Sequence, residues 1–119
     1  MQTESYVLVI EDDQDLREIL TGYLETHGHR VVSLSDGAEA LAYLDKGKHP
    51  VAIVCDVMMP GVLGTTIAEY LRASRTQRNI PIAFTTANPR AVPIGYRVWL
   101  KPYRLTDMLA FVEAAIQAT

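Results

Sequence analysis

Five short apolar runs punctuate the chain, and apolar positions at helical spacing fill most of the intervals between them. The runs are Tyr6–Ile10, Arg30–Leu34 and residues 51–55, 80–84 and 98–100. Three of them are nearly continuous in apolar residues rather than alternating, the pattern of strands buried on both faces of a parallel sheet. After the first run, Leu16, Ile19, Leu20, Tyr23 and Leu24 predict a helix over 15–27, with Gly28 as its stop. Ser35 or Asp36 can cap a second helix carrying Ala38, Leu41 and Leu44 and ended by Gly47. Ile67, Ala68 and Leu71 place a third helix over 64–74. Leu105, Met108, Leu109, Val112 and Ile116 place a last one over 105–118.

Strands alternating with crossover-length helices require a parallel sheet covered on both faces. Five strands in this order suit a flavodoxin-like, doubly wound α/β sheet with strand order 2-1-3-4-5. One helix is missing from the regular pattern. Only 14 residues separate Thr86 from Lys101, and these must include the fifth strand. The stretch 87–96 holds Pro89, Pro93 and Gly95, and each proline disfavours helix at the residue before it. The fourth helix is therefore expected to be absent or reduced to a turn.

Composition narrows the function. The 119 residues suit a single domain, 1–119, with no room for an output domain. With 49% apolar and 21% charged residues, the chain reads as an ordinary globular protein. A net charge of −3 and no basic stripe argue against direct nucleic-acid binding. The first residues lack a basic n-region and apolar core, and no run approaches a membrane span, so a cytoplasmic location without membrane insertion is expected. The single Cys55 sits inside an apolar run and reads as a small buried side chain in a reducing compartment.

The chemistry gathers where the strands end. The first run leads into Glu11-Asp12-Asp13, the third into Asp56, and the fifth into Lys101-Pro102. In open α/β sheets, sites form beyond the carboxyl ends of the strands. Crowded carboxylates need a compensating cation, and a few hard oxygen ligands suit Mg²⁺. Asp12 and Asp56 are the expected direct ligands, with Glu11 supporting through water and the backbone carbonyl of Met58 completing the protein's share. Asp56, alone at a strand end, is also a candidate nucleophile for an aspartyl phosphate. Lys101 can neutralise phosphoryl oxygens, and the hydroxyl of Thr85 or Thr86 can donate to another. Asp13 or Asp15 can cap the first helix, and His27, His29 and His49 lack metal-ligand spacing.

These residues resemble the signature of bacterial response-regulator receiver domains, from the first strand to the last helix. The first-strand motif reads Val7-Leu8-Val9-Ile10-Glu11-Asp12-Asp13, and the D-x-x-M-P-x-x-x-G motif reads Asp56, Met59, Pro60 and Gly64. Phe84-Thr85-Thr86-Ala87 matches the switch-threonine segment, and Lys101-Pro102 the lysine–proline pair. The resemblance implies Asp56 as phosphoacceptor in a two-component phosphorelay, Glu11 and Asp12 as metal-site acids, Thr86 as the switch hydroxyl and a cis Lys101–Pro102 bond. It also implies a histidine kinase or histidine phosphotransfer protein as donor, a downstream protein partner, and no enzymatic turnover beyond self-phosphorylation and autodephosphorylation.

Two departures stand out. The position three before the lysine, often aromatic in the family, is Val98, while the neighbouring Trp99 points to the opposite face. Loss of the fourth helix removes much of the usual dimerisation surface, so a monomer or weak dimer is expected. A shortened fourth helix is similar to a single-domain subgroup with an F-A-T-G-like motif. The competing readings are a phosphorylation-independent interaction module and a Mg²⁺-dependent phosphatase. Asp56-Val57-Met58 lacks the second aspartate such phosphatases commonly carry. No G-x-G-x-x-G follows the first strand to suggest a dinucleotide.

Overall fold

A computed structural model describes residues 5–91 and 93–119. The elements run β1 (Tyr6–Ile10), α1 (Gln14–Thr26), β2 (Arg30–Leu34), α2 (Gly37–Leu44), β3 (Ala52–Asp56), α3 (Gly64–Ala73), β4 (Ile82–Thr86), β5 (Arg97–Leu100) and α4 (Leu105–Gln117). All strand pairs are parallel, in the order β2-β1-β3-β4-β5. This is the doubly wound, flavodoxin-like sheet that the run pattern predicts.

Strand alternation divides the core in two. Leu8, Ile10, Ile53, Cys55 and Phe84 face one side, where they meet Ala40 and Leu44 of α2 and Ile67, Ala68 and Leu71 of α3. Val7, Val9, Ala52 and Val54 face the other, against Leu20 and Leu24 of α1 and Met108, Val112 and Ala115 of α4. At β5, Val98 packs with the first set and Trp99 with the second, as their alternation requires.

Local chemistry accounts for the boundaries. Asp13 caps α1 by accepting from the Leu16 N–H at 2.9 Å, and Asp36 caps α2 by accepting from Glu39 at 2.8 Å. The fourth strand starts at Ile82 rather than residue 80, since Pro81 lacks an N–H and serves only as an acceptor, for Ile53. It continues through Thr86, whose carbonyl accepts from the Lys101 N–H at 2.8 Å. Asp56 is itself the last residue of β3, in register with Thr85. Two expected core positions are corrected: Ile19 is 54% exposed, and on α2 the buried alanine is Ala40, with Ala38 facing solvent. A 3.6-residue period marks a stripe, not its edges.

No helix is assigned among the described residues between β4 and β5. The chain turns at Asn88, where the Ala91 N–H returns to its carbonyl at 3.0 Å, and turns again at Gly95 with φ +88°. Val92 lies outside the described residues, as do the first four residues read above for a leader.

Candidate functional site

The carboxyl ends of β1, β3, β4 and β5 bring the acids, the lysine and the threonines together. Glu11 follows β1 directly and is 1% exposed, while Asp56 closes β3 at 5%. Asp12 projects into solvent beside them. One carboxylate oxygen from each of Glu11, Asp12 and Asp56 lies within 4.8 Å of the others, close enough for one small cation. The donor set is all oxygen, which suits a hard divalent ion such as Mg²⁺ rather than a soft metal.

Each acid is held by distinct partners. Glu11 Oε2 accepts the Asp13 N–H at 3.1 Å, and its backbone carbonyl accepts from Arg17 Nη1 at 2.8 Å. Asp56 Oδ1 accepts the Met58 N–H at 3.1 Å. Lys101 Nζ donates to Asp56 Oδ2 at 2.9 Å and to Glu11 Oε1 at 3.1 Å. The Lys101–Pro102 bond is cis.

Burial dominates the electrostatics. It pushes Glu11 from its ordinary 4.5 to about 7; the Asp13 N–H works against this, the Asp56 charge adds to it, and Lys101 opposes it. Burial also works against the charge on Lys101, but its bonds to Asp56 and Glu11 outweigh that and hold its pKa above the ordinary value. The Cys55 thiol is pushed well up by burial and then by the two neighbouring acids, so this residue is an inert core side chain.

The loop after β3 is fitted tightly to the site. The Gly64 N–H donates to Val57 O at 2.9 Å, closing the 57–64 turn. A Cβ at Gly64 would sit 2.5 Å from the Asp56 carbonyl oxygen and 3.1 Å from Phe84 Cε1. The glycine of the D-x-x-M-P-x-x-x-G motif is thus required by close approach. Met59 is buried in the core, whereas Met58 is 51% exposed at the rim.

Of the two candidate threonines, Thr85 pairs in register with Asp56 and Thr86 lies one step further along β4. Thr86 is fully buried. Its hydroxyl accepts the Asn88 N–H at 3.1 Å and donates to the Asn88 carbonyl at 3.4 Å, and no hydrogen bond joins it to Asp56 among the described residues. The histidines bond elsewhere: His27 to Tyr23 O, His29 to Glu113 and His49 to Thr76 O.

A family model described as the response regulator receiver domain matches residues 7–94. The chain belongs to the response regulator receiver domain family. It is 33% identical over 120 residues to the response regulator MprA of Mycobacterium sp. (strain KMS), covering 95% of this chain and 51% of that protein. The chain therefore spans about half the length of the curated relatives it matches. Among solved structures, it resembles the receiver domain of a signal transduction histidine kinase from Syntrophus aciditrophicus, with TM-score 0.86 and 25% identity over 97% of this chain and 92% of that one. The chemotaxis response regulator CheY4 of Vibrio cholerae matches at TM-score 0.79 and 25% identity, over 95% and 99% of the two chains.

This receiver also places near the site a group that the motif reading missed. Tyr103, two residues past Lys101, has a buried hydroxyl with no hydrogen-bond partner among the described residues. Burial, then the charges of Glu11 and Asp56, raise its pKa. Its ring stacks on Trp99 at 5.7 Å. The pair Lys101-Pro102 points to this stretch, but nothing in the sequence tells a stacked tyrosine from a phenylalanine with the same packing.

Proposed function

We propose that this receiver is a phosphoacceptor of a two-component phosphorelay, with Asp56 as the group that reacts. The single observation carrying the reading is the ammonium of Lys101 bound to both Asp56 and Glu11. A carboxylate so buried, with a cation and an open acidic flank beside it, is equipped to receive a phosphoryl group and neutralise its charge.

The donor is a phosphohistidine on a histidine kinase or a histidine phosphotransfer protein. An Asp56 carboxylate oxygen attacks the phosphorus in line. The new O–P bond forms as the P–N bond breaks, and the electron pair leaves on the imidazole nitrogen, which takes up a proton. Lys101 stabilises the phosphoryl oxygens as Asp56 gives up its share of the ammonium. The Met58 N–H fixes the orientation of the carboxylate. Glu11, Asp12, Asp56 and the Met58 carbonyl would hold Mg²⁺, which when bound would help neutralise the phosphoryl charge. Water attack on the acyl phosphate releases phosphate and restores Asp56. The chain turns over no external substrate, works in the cytoplasm, and passes its state on by protein contact.

The test is phosphorylation by acetyl phosphate with Mg²⁺, read by intact mass. A gain of one phosphoryl group that disappears in Asp56→Asn supports the reading. No gain in the wild type, under conditions where the fold is intact by circular dichroism, overturns it. Signalling that survives Asp56→Asn would favour a phosphorylation-independent interaction module.

A further inference from the structure

The start of α2 carries none of the reacting groups, yet the turn that follows Asp56 rests on it. Gly37, the first residue of α2, is buried. A Cβ there would lie 2.7 Å from Val62 Cβ, 2.8 Å from Val62 Cγ1 and 3.0 Å from the Val62 carbonyl oxygen. Val62 belongs to the 57–64 turn, so its side chain sits directly against the bare backbone of the helix start.

Of the two partners, the helix is the firm one. Asp36 Oδ1 accepts the Glu39 N–H at 2.8 Å, while Glu39 Oε1 accepts the Ser35 N–H at 3.0 Å and the Ser35 hydroxyl at 3.2 Å. Such reciprocal capping fixes the first turn from both directions. Behind it, the Leu34 carbonyl accepts the Glu11 N–H at 3.1 Å, which pins the connection to the end of β1. Ahead of it, Ala40 and Leu44 are held in the core. The turn is the softer partner. Val57 and Met59 are buried at its near end, but Pro60, Gly61 and Leu63 are exposed.

The Cβ of a β-branched residue cannot swing away by a change of rotamer, so any push on Val62 must move its backbone. That backbone belongs to a closed turn, since the Gly64 N–H donates to Val57 O at 2.9 Å. At the near end of the same turn, the Met58 N–H donates to Asp56 Oδ1 at 3.1 Å. A displacement at Val62 therefore reaches the carboxylate through a few covalently linked residues.

We propose that Gly37 is a positioning residue for the Asp56 site: the space left by its missing side chain seats Val62 and so fixes the Met58 backbone beside Asp56. Gly37 touches no reacting atom and acts only through the 57–64 turn. Its effect on Mg²⁺ and on phosphoryl uptake rests on the phosphoacceptor reading, in which the Met58 carbonyl is a ligand. The seating of Val62 does not.

Backbone amide NMR of the full chain, first without metal and then titrated with Mg²⁺ alone, tests this. In Gly37→Ala the Met58 cross-peak is expected to move in the metal-free protein. The Mg²⁺ concentration at half-saturation should rise about tenfold, the scale on which groups behind a metal ligand act. Phosphoryl uptake from acetyl phosphate should need correspondingly more Mg²⁺. Val62→Gly removes the seated side chain, and in that background Gly37→Ala should add no more than about twofold. A Met58 peak at its wild-type position in Gly37→Ala, or an unchanged Mg²⁺ half-saturation, overturns the proposal. So does an equal effect of Gly37→Ala with and without the Val62 side chain, which would place the disturbance in α2 itself. A role in packing alone would lower the melting temperature and leave both readouts unmoved in the folded protein. Should Gly37→Ala not fold, Val62→Gly carries the test: it is expected to weaken Mg²⁺ binding, and wild-type binding overturns the seat. Absence of Mg²⁺ binding and of phosphoryl gain in the wild type is instead a failure of the Asp56 reading. The seat is then decided by the metal-free Met58 peak and its response to the two substitutions.

Discussion

Lys101 Nζ stands 2.9 Å from Asp56 Oδ2 and 3.1 Å from Glu11 Oε1, so one ammonium from the end of β5 satisfies acids from two other strands. Neither acid has comparable access to water. Removing the cation leaves two buried carboxylates facing each other, and breaking such a pair from one side costs ~3–5 kcal/mol when fully buried. The Lys101 side chain is 22% exposed, which moves the expected loss for Lys101→Met to the lower end, ~2–3 kcal/mol at pH 8. At pH 5.5 much of it should return, because Glu11 can take up a proton. Urea unfolding at the two pH values checks this. An equal loss at both would mean that the lysine acts by packing alone.

The position of Glu11 makes the metal-free protein sensitive to pH. Burial raises its pKa in the folded state from 4.5 to about 7, so between those values the folded form binds a proton that the unfolded form has lost. The Glu11 contribution to stability is therefore fully present below pH ~4.5 and is lost as pH rises through about 7. Denaturation in EDTA at pH 5 to 8 should show stability falling across this window, and Glu11→Gln should flatten that fall. Parallel wild-type and variant curves would show that Glu11 does not titrate there.

How much of this was legible in the sequence follows from which forces act locally. The apolar runs declare β1 and β3 because parallel strands bury both faces, and the abrupt change from Ile10 to Glu11 and from Cys55 to Asp56 marks where the sheet ends. Asp13 and Asp36 announce their helices by capping chemistry that needs only neighbours in sequence. β4 starts two residues later than the apolar run 80–84 suggests, because Pro81 can accept from Ile53 but has no N–H to give the ladder. The Thr86–Asn88 and Arg72–Tyr96 contacts were not legible at all. The first is a choice of rotamer, and the second joins residues 24 apart, from the end of α3 past β4 to the residue before β5.

Gly64 is a position where adding one methyl should cost more than helix propensity returns. Alanine is favoured over glycine inside a helix by up to ~1 kcal/mol, but here its Cβ would lie 2.5 Å from the Asp56 carbonyl oxygen. Backbone cannot yield as a flexible side chain would, and overpacking of this kind costs ~1–3 kcal/mol. Gly64→Ala should therefore be less stable in urea, and phosphoryl uptake should slow as the Asp56 backbone is displaced. A variant that is stabilised and phosphorylated at the wild-type rate would show that the 57–64 turn relaxes freely.

Tyr103 offers the opposite outcome, a substitution near the site that should stabilise. Its hydroxyl is buried without a partner among the described residues, and an unsatisfied buried donor costs ~1–3 kcal/mol. Tyr103→Phe removes that donor and keeps the ring that stacks on Trp99 at 5.7 Å. The expected gain is ~1 kcal/mol, which raises the melting temperature of a domain of this size by ~4 °C. Trp99 emission should be little changed, because the stacked face survives. If Tyr103→Phe is instead destabilised, the hydroxyl is satisfied in solution, and the natural partner in so enclosed a place is an ordered water. Phosphoryl uptake by the same variant then separates two roles for that water. Unchanged uptake leaves it structural, and a slower rate at a temperature where the variant is still fully folded places the Tyr103 hydroxyl in the hydrogen-bond network that reaches Asp56.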